Sequence, residues 1–479
     1  MPIDLHKTLK TKFGYEAFHG GQQEIIEAVL EGKDVIGILP TGMGKSLCYQ
    51  MPAYLLPHTV IVISPLVSLM QDQVEQLRIL GEKRVIALNS FLTPKEKRNL
   101  LTHASDYKFI FISPEMLMQE QVRTELQSIP ISLIVADEAH CISQWGYDFR
   151  PDYLRFGEWL RNWERPPILA LTATATDNVI SDIEQFLHLK NPSPIIQSLD
   201  RPNIRYSAVQ VESNEEKFWN ILNQIQTYEG PGIIYTQSRK KADEYSMKLN
   251  DAGIRVAPYH AGMEQMDRTF VQQQFLQGEI DWVCATNAFG MGVHKSDIRQ
   301  IIHDHIPSSV ANYAQEIGRA GRDGENAVAT LMFSERDDQM TVFVATNDFP
   351  DITQVHLFTN HNNPKQLVDE GMLSETSYRI LSYWLERSSI DETIQTLAKL
   401  KQEKLNQIQL MKELISNNSC KRKQLVEFFG QQLISTPMNC CSNCGLNEEE
   451  VLKRPSLLQV SDKELNWKNR LSLIFPDRD

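Results

Sequence analysis

The sequence predicts an α/β fold: two parallel-sheet lobes in tandem, followed by a mostly helical segment that carries a late cysteine cluster. Three observations lead there. Apolar runs of strand length alternate with helix-compatible stretches, first around 33–136 and again around 231–295. Residues 33–50, KDVIGILPTGMGKSLCYQ, read as a strand, a Gly-rich loop ending in Lys and Ser, and a helix. Finally, Cys420, Cys440, Cys441 and Cys444 crowd together near the end, whereas Cys48, Cys141 and Cys284 are scattered as core cysteines usually are.

The chain has 479 residues, 42% hydrophobic and 23% charged, enough for two or three cores of an ordinary globular protein. A net charge of −13 excludes a surface coated in basic residues, so any nucleic-acid partner needs a local basic and aromatic track. The sequence has no apolar run of roughly 18 residues, and MPIDLHKTLK lacks the apolar core of a signal peptide. Membrane insertion and export are therefore not expected, and the cytoplasm is the expected compartment. A cysteine cluster in a cytosolic chain points to a metal rather than to disulfides.

In the phosphate loop, Gly42 and Gly44 let backbone amides close around phosphate oxygens. Thr41 and Met43 complete the cradle, Lys45 neutralises the β- and γ-phosphates, and Ser46 offers a hydroxyl to Mg²⁺. Leu39 stands where the full G-x-x-x-x-G-K-[ST] pattern has its first Gly. Roughly ninety residues on, an apolar strand at Leu133–Ala136 ends in Asp137 and Glu138, at the carboxyl end where a parallel sheet places catalytic groups. Asp137 is expected to hold Mg²⁺, directly or through water, and Glu138 to orient and deprotonate the attacking water of ATP hydrolysis. The second half has no phosphate loop. It carries NYAQEIGRAGRDG at 312–324, where Arg319 and Arg322 share one face if the segment is helical and are candidates to reach a γ-phosphate from the second lobe.

Taken in order, these strings resemble superfamily 2 helicases, in particular the RecQ family. LKTKFGYEAFHGGQQEII (9–26), VISPLVSLMQDQV (62–74), FISPEML (111–117), DEAHCISQWGYDFRPDY (137–153), ALTATAT (170–176), DRPNIRY (200–206), YHAGM (259–263) and TNAFGMGVHKSDIRQIIH (286–303) all match, as does the QEIGRAGRDG string. The match covers residues 9–335 and then the cysteine region. The resemblance implies two RecA-like lobes (1–206 and 207–340), a helical zinc-binding subdomain (341–447) and a short tail (448–479). It also implies that Tyr15 stacks on adenine and Gln22 hydrogen-bonds it, with His19 replacing the usual Arg. Trp145, Phe149 and Arg150 of the aromatic-rich loop would couple single-stranded DNA to hydrolysis, a role their stacking chemistry suits. Ser68, Gln71, Ser238 and Arg239 would contact the DNA backbone, and Thr172 and Thr174 would touch it or link it to the nucleotide.

The zinc ligands follow in part from the same resemblance, Cys420 matching the opening ligand and Cys441 with Cys444 forming a C-x-x-C knuckle. Cys440 is the fourth by elimination, since no His follows His361. Neighbouring side chains in an extended chain point apart, so adjacent ligands require a tight turn. Upstream, Ile390, Ile394, Leu397, Leu405, Ile408, Met411 and Ile415 recur at helical spacing until Asn417 and Asn418 stop the helix.

The activity implied is an ATP-dependent 3′→5′ DNA helicase in repair or recombination, with ATP, Mg²⁺ and Zn²⁺ as cofactors. Single-stranded and forked DNA are the expected partners, together with replication or repair proteins, and the chain is expected to act as a monomer. After Cys444 only 35 residues remain, so the winged-helix and helical DNA-binding domains common in the family are not expected. Two other readings remain open: an RNA-directed motor of the DEAH type, and a DNA-annealing scaffold in which ATP only switches conformation.

Overall fold

The computed structural model describes residues 4–65, 67–89, 92–143, 150–161, 163–290 and 295–452. Trp145 and Phe149, the side chain of Ser68 and residues 453–479 of the tail lie outside the described residues.

Lobe 1 is built on seven strands: β1 (Val35–Ile38), β2 (Thr59–Ile63), β3 (Val85–Leu88), β4 (Phe109–Ile112), β5 (Ile131–Ala136), β6 (Ile168–Thr172) and β7 (Ser193–Ile196). They pair in the order β3-β4-β2-β5-β6-β1-β7, all parallel. The central strands are apolar along their whole length because helices cover both faces; β1, β2, β4 and β6 are buried at every position. Register aligns their ends: Ile38 opposite Thr172, and Ile63 opposite Ala136. The segments that follow β1, β2, β5 and β6 therefore emerge along one edge, where an open parallel sheet binds its ligand.

Lobe 2 has β8 (Ile204–Gln210), β9 (Gly232–Tyr235), β10 (Val256–Tyr259), β11 (Trp282–Ala285), β12 (Gln300–His303) and β13 (Ala327–Phe333), in the parallel order β10-β11-β9-β12-β13-β8. Residues 197–203 connect the edge strand β7 to the edge strand β8.

The C-terminal region is helical and touches both lobes. The helix Glu375–Leu385 lies on lobe 1, where Tyr383 joins the core beneath the helix Pro151–Arg161. Charged pairs frame that contact: Arg379 Nη1 to Glu115 Oε1 at 2.8 Å, and Arg387 to Glu158 at 2.8 and 2.5 Å. After a capping box at Ser389 and Glu392, the helix Ile390–Ser416 runs 27 residues, about 40 Å at 1.5 Å per residue. Its far end inserts Met411, Leu414 and Ile415 into the lobe 2 core. No described helix is long and apolar enough to cross a membrane.

Candidate active site and metal centre

The loop after β1 reverses sharply, with Gly42 at φ +90° and Gly44 at φ +68°, conformations that favour glycine. It leads to Ser46, the N-cap of the helix Leu47–Leu55, whose first amides and dipole favour an anion. Leu39 is fully buried and its amide donates to the Thr172 carbonyl, so at this position the chain continues the sheet and needs no glycine. Gln22 is buried under the loop: its amide nitrogen donates to the carbonyls of Met43 (2.8 Å) and Gly44 (3.1 Å), and its oxygen accepts from the His19 amide at 2.9 Å. In this arrangement the nitrogen end of Gln22 serves the loop and its oxygen serves the His19 amide, while the side chains of Tyr15 and His19 are exposed.

Across the sheet edge, Lys45 Nζ lies 3.7 Å from Glu138 Oε1. Glu138 adopts a left-handed backbone, φ +49° and ψ +47°, a strained state for a non-glycine residue that turns its carboxylate toward the loop. Asp137 is fixed by its amide donating to Ile63 O (2.8 Å) and by the Tyr153 hydroxyl donating to its carbonyl (2.6 Å). Burial and the neighbouring Glu138 charge push the Asp137 carboxyl up to about 7, with Lys45 partly opposing. Among the described residues Glu138 Oε2 accepts no hydrogen bond; it lies 3.4 Å from His140 Nδ1, which pairs with Thr172 Oγ1 at 2.9 Å. Two buried carboxylates short of positive charge, with hard oxygen donors, suit a divalent cation such as Mg²⁺.

The two arginines of lobe 2 do not share a helical face. The helix Val310–Ile317 ends before them, at Gly318 and at Gly321 with φ +53°, so each follows its own turn. Arg319 is buried inside lobe 2 and donates to Gly290 O, against a glycine whose φ of +151° leaves room for the guanidinium. Arg322 instead crosses to lobe 1 and lies over Gly42, where a Cβ would sit 2.9 Å from its Cγ. Burial, then the charges of Arg319 and Arg201, lower the Arg322 guanidinium to about 9.

The residues expected at DNA lie on separate elements of the two lobes. Gln71 lies half-buried on the helix Val67–Ile79; Ser238 accepts from the Lys241 amide at 3.2 Å as N-cap of the helix Arg239–Asp251, and Arg239 is exposed. Arg150 Nη1 donates to Pro65 O at 2.8 Å, tying the end of the aromatic loop to the segment after β2. Thr172 and Thr174 are buried, and Thr172 links to His140 rather than to the surface.

In the cysteine cluster the four sulfurs of Cys420, Cys440, Cys441 and Cys444 lie within 4.8 Å of one another. Cys420 and Cys440 are 3.7 Å apart, close to the edge of a tetrahedron with zinc–sulfur bonds of about 2.3 Å, roughly 3.8 Å. Asn439, just before the adjacent pair, turns the chain with a left-handed φ of +53°. Hydrogen bonds from the Cys440 side chain and the Lys421 amide hold the Cys441 thiol well below its ordinary value, toward the thiolate a metal requires. The donors fit zinc, and the knuckle docks on β8, the Tyr206 amide donating to Cys440 O at 3.3 Å.

Family models match in the same order: DEAD/DEAH box helicase over residues 20–183, helicase conserved C-terminal domain over 216–324, and RecQ zinc-binding over 378–445. The chain is 38% identical to the probable ATP-dependent DNA helicase RecS of Bacillus subtilis, covering 98% of each chain. The chain belongs to the RecQ family of ATP-dependent DNA helicases. The Haemophilus influenzae ATP-dependent DNA helicase RecQ is 35% identical to this RecQ-family chain, over 91% of it and 62% of that relative. In fold alone, it resembles Mss116, a DEAD-box helicase bound to single-stranded RNA, with TM-score 0.59 at 17% identity over 88% of this chain and 95% of that one. Dbp5 of S. cerevisiae also matches at TM-score 0.59 and 18% identity, over 72% and 91%.

Sequence reading of this RecQ-family chain overlooked two arginines. Arg201, in the connection between the sheets, reaches into the cleft, and Arg422, fully buried, bridges Cys440 and that connection. Arg201 occurs in the DRPNIRY string quoted above and Arg422 stands two residues after Cys420, but neither has a pattern that marks it.

Proposed function

We propose that the chain couples ATP hydrolysis to 3′→5′ translocation on single-stranded DNA and to duplex unwinding, in repair or recombination. The observation that carries this reading is the crossing of Arg322 from lobe 2 onto the phosphate loop, which makes one site from two lobes. Thr41, Gly42, Met43, Gly44 and Lys45 cradle the phosphates beside Tyr15, His19 and Gln22, and Ser46 with Asp137 would hold Mg²⁺, which would supply neutralisation of phosphate charge. Glu138 takes the proton of the attacking water; its left-handed backbone and the His140 and Lys45 contacts aim it. Arg322 stabilises the charge that develops on the transferred phosphoryl group, with Arg319 behind it. Closure of the cleft is then felt by the DNA-side residues, Ser68, Gln71, Ser238 and Arg239, and through Arg150 by the aromatic loop with Trp145 and Phe149. Cys420, Cys440, Cys441 and Cys444 hold zinc as a structural element.

The test is ATPase activity without nucleic acid, with single-stranded DNA and with RNA, followed by displacement of a duplex carrying a 3′ or a 5′ single-stranded tail. DNA-selective stimulation and unwinding only from the 3′ tail are expected. Stimulation by RNA alone would favour an RNA motor, and stimulation without displacement on any fork would favour an annealing scaffold.

A further inference from the structure

The chain passes from sheet to sheet through residues 197–203, and in that connection the side chain of Arg201 turns back into the cleft. Its Nη1 lies 3.4 Å from the carbonyl of Thr41, in the phosphate loop of lobe 1, and 3.3 Å from that of Gly318 in lobe 2. Its Nη2 donates to the carbonyls of Ala320 (3.2 Å) and Gly321 (2.7 Å). These three lobe 2 carbonyls belong to the turn that carries Arg319 and Arg322, just past the end of the helix Val310–Ile317, where Gly321 O also accepts from the Gly324 amide at 3.1 Å. Asn203 adds a bond to Gly321 O at 2.8 Å.

The base of Arg201 is equally constrained. Arg422, fully buried, pairs with the Asp200 carboxylate and donates from Nη1 to the Arg201 carbonyl at 2.9 Å. The guanidinium is thus held from behind and spans the two halves of the site from in front. Three of its four contacts go to the arginine turn, the shortest to Gly321 O at 2.7 Å, and the fourth reaches Thr41 O at 3.4 Å.

We propose that Arg201 is a positioning residue for ATP hydrolysis, holding the turn of lobe 2 so that Arg322 meets the terminal phosphate. The proposal rests on the reading of the ATP site given above. Lysine cannot substitute, because one ammonium cannot hold the diverging acceptors that a planar guanidinium fork reaches.

The test is steady-state ATP hydrolysis by the full chain on single-stranded DNA for wild type, Arg201→Lys, Arg201→Ala, Arg322→Ala and Arg201→Ala/Arg322→Ala, with melting temperatures. For both Arg201 variants kcat is expected to fall by about 10²-fold, the scale of a displacement of about 1 Å at a reacting centre, while KM for ATP changes much less. The double variant is expected to be no slower than Arg322→Ala, because Arg201 acts through Arg322. Should Arg201→Ala fail to fold, Arg201→Lys carries the same comparison, alone and combined with Arg322→Ala. Unchanged kcat, a loss confined to KM, or additive losses in the double variant would overturn the proposal. A wild-type chain that hydrolyses no ATP with DNA would overturn the site reading and this proposal with it.

Discussion

Replacing Gly42 with Ala tests whether the lobes cooperate at the phosphate loop. Two costs follow from the structure. The φ of +90° places a Cβ in the left-handed region, worth about 1–2 kcal/mol. The new methyl would also stand 2.9, 3.0 and 3.1 Å from Cγ, Cδ and Nε of Arg322, so the guanidinium must withdraw by about 0.5–1 Å to restore ordinary contact. Gly253→Ala separates the two, because it sits at φ +83° with nothing within 4 Å and pays the backbone term alone. Both variants are expected to lose similar stability in urea unfolding. Only Gly42→Ala is expected to lose turnover, by about 10²-fold in kcat or about 2.7 kcal/mol on the barrier, in DNA-stimulated ATP hydrolysis. Full turnover by Gly42→Ala, or a defect seen only in KM, would refute the reasoning, since the methyl would then have disturbed phosphate binding without disturbing the arginine.

Lys45→Ala is expected to abolish DNA-stimulated hydrolysis, whereas Glu138→Gln should still bind a fluorescent ATP analogue and turn over none. The protein should carry one zinc per chain, and Cys444→Ser should release it and unfold the C-terminal third, structural zinc contributing on the order of 10 kcal/mol; metal analysis with thermal melting decides this. Asp34→Ala removes one partner of a buried pair, Arg165 Nη2 to Asp34 Oδ2 at 2.7 Å, and should cost about 3–5 kcal/mol. Burial alone raises the Asp34 carboxyl, but hydrogen bonds from Arg165 and from the amides of Lys190 and Ile168 outweigh it and hold it below its ordinary value. The contribution is therefore present above the ordinary carboxylate range and lost as pH falls through it, so the gap between wild type and variant in chemical denaturation should close toward low pH.

Much of the fold was legible because it rests on local pattern. The strand, loop and helix expected at 33–50 appear as Val35–Ile38 and Leu47–Leu55, the strand before Asp137 is Ile131–Ala136, and the helical spacing from Ile390 gives Ile390–Ser416. The arginine pair was not legible in its geometry: Gly318 and Gly321 end the helix, and a separation of three in sequence then says nothing about direction. Leu39 looked like a departure from the loop pattern but is a buried residue just past β1, bonded to Thr172 O, and the turn comes later, at Gly42. The convergence of Cys440 and Cys441 on Cys420 and Cys444 depends on local backbone geometry that composition does not flag. Arg201 and Arg422 act through carbonyl oxygens contributed by distant segments, and backbone acceptors leave no trace in side-chain identity.

The helix pair 375–416 joins the lobes a second time, away from the connection at 197–203, with Tyr383 rooted in one core and Met411 in the other. Two bodies fastened at two separated points have one easy rotation left, about the line through the fastenings. While both hold, the motion left to one lobe on the other is that of a door about its hinge line and not that of two beads on a string.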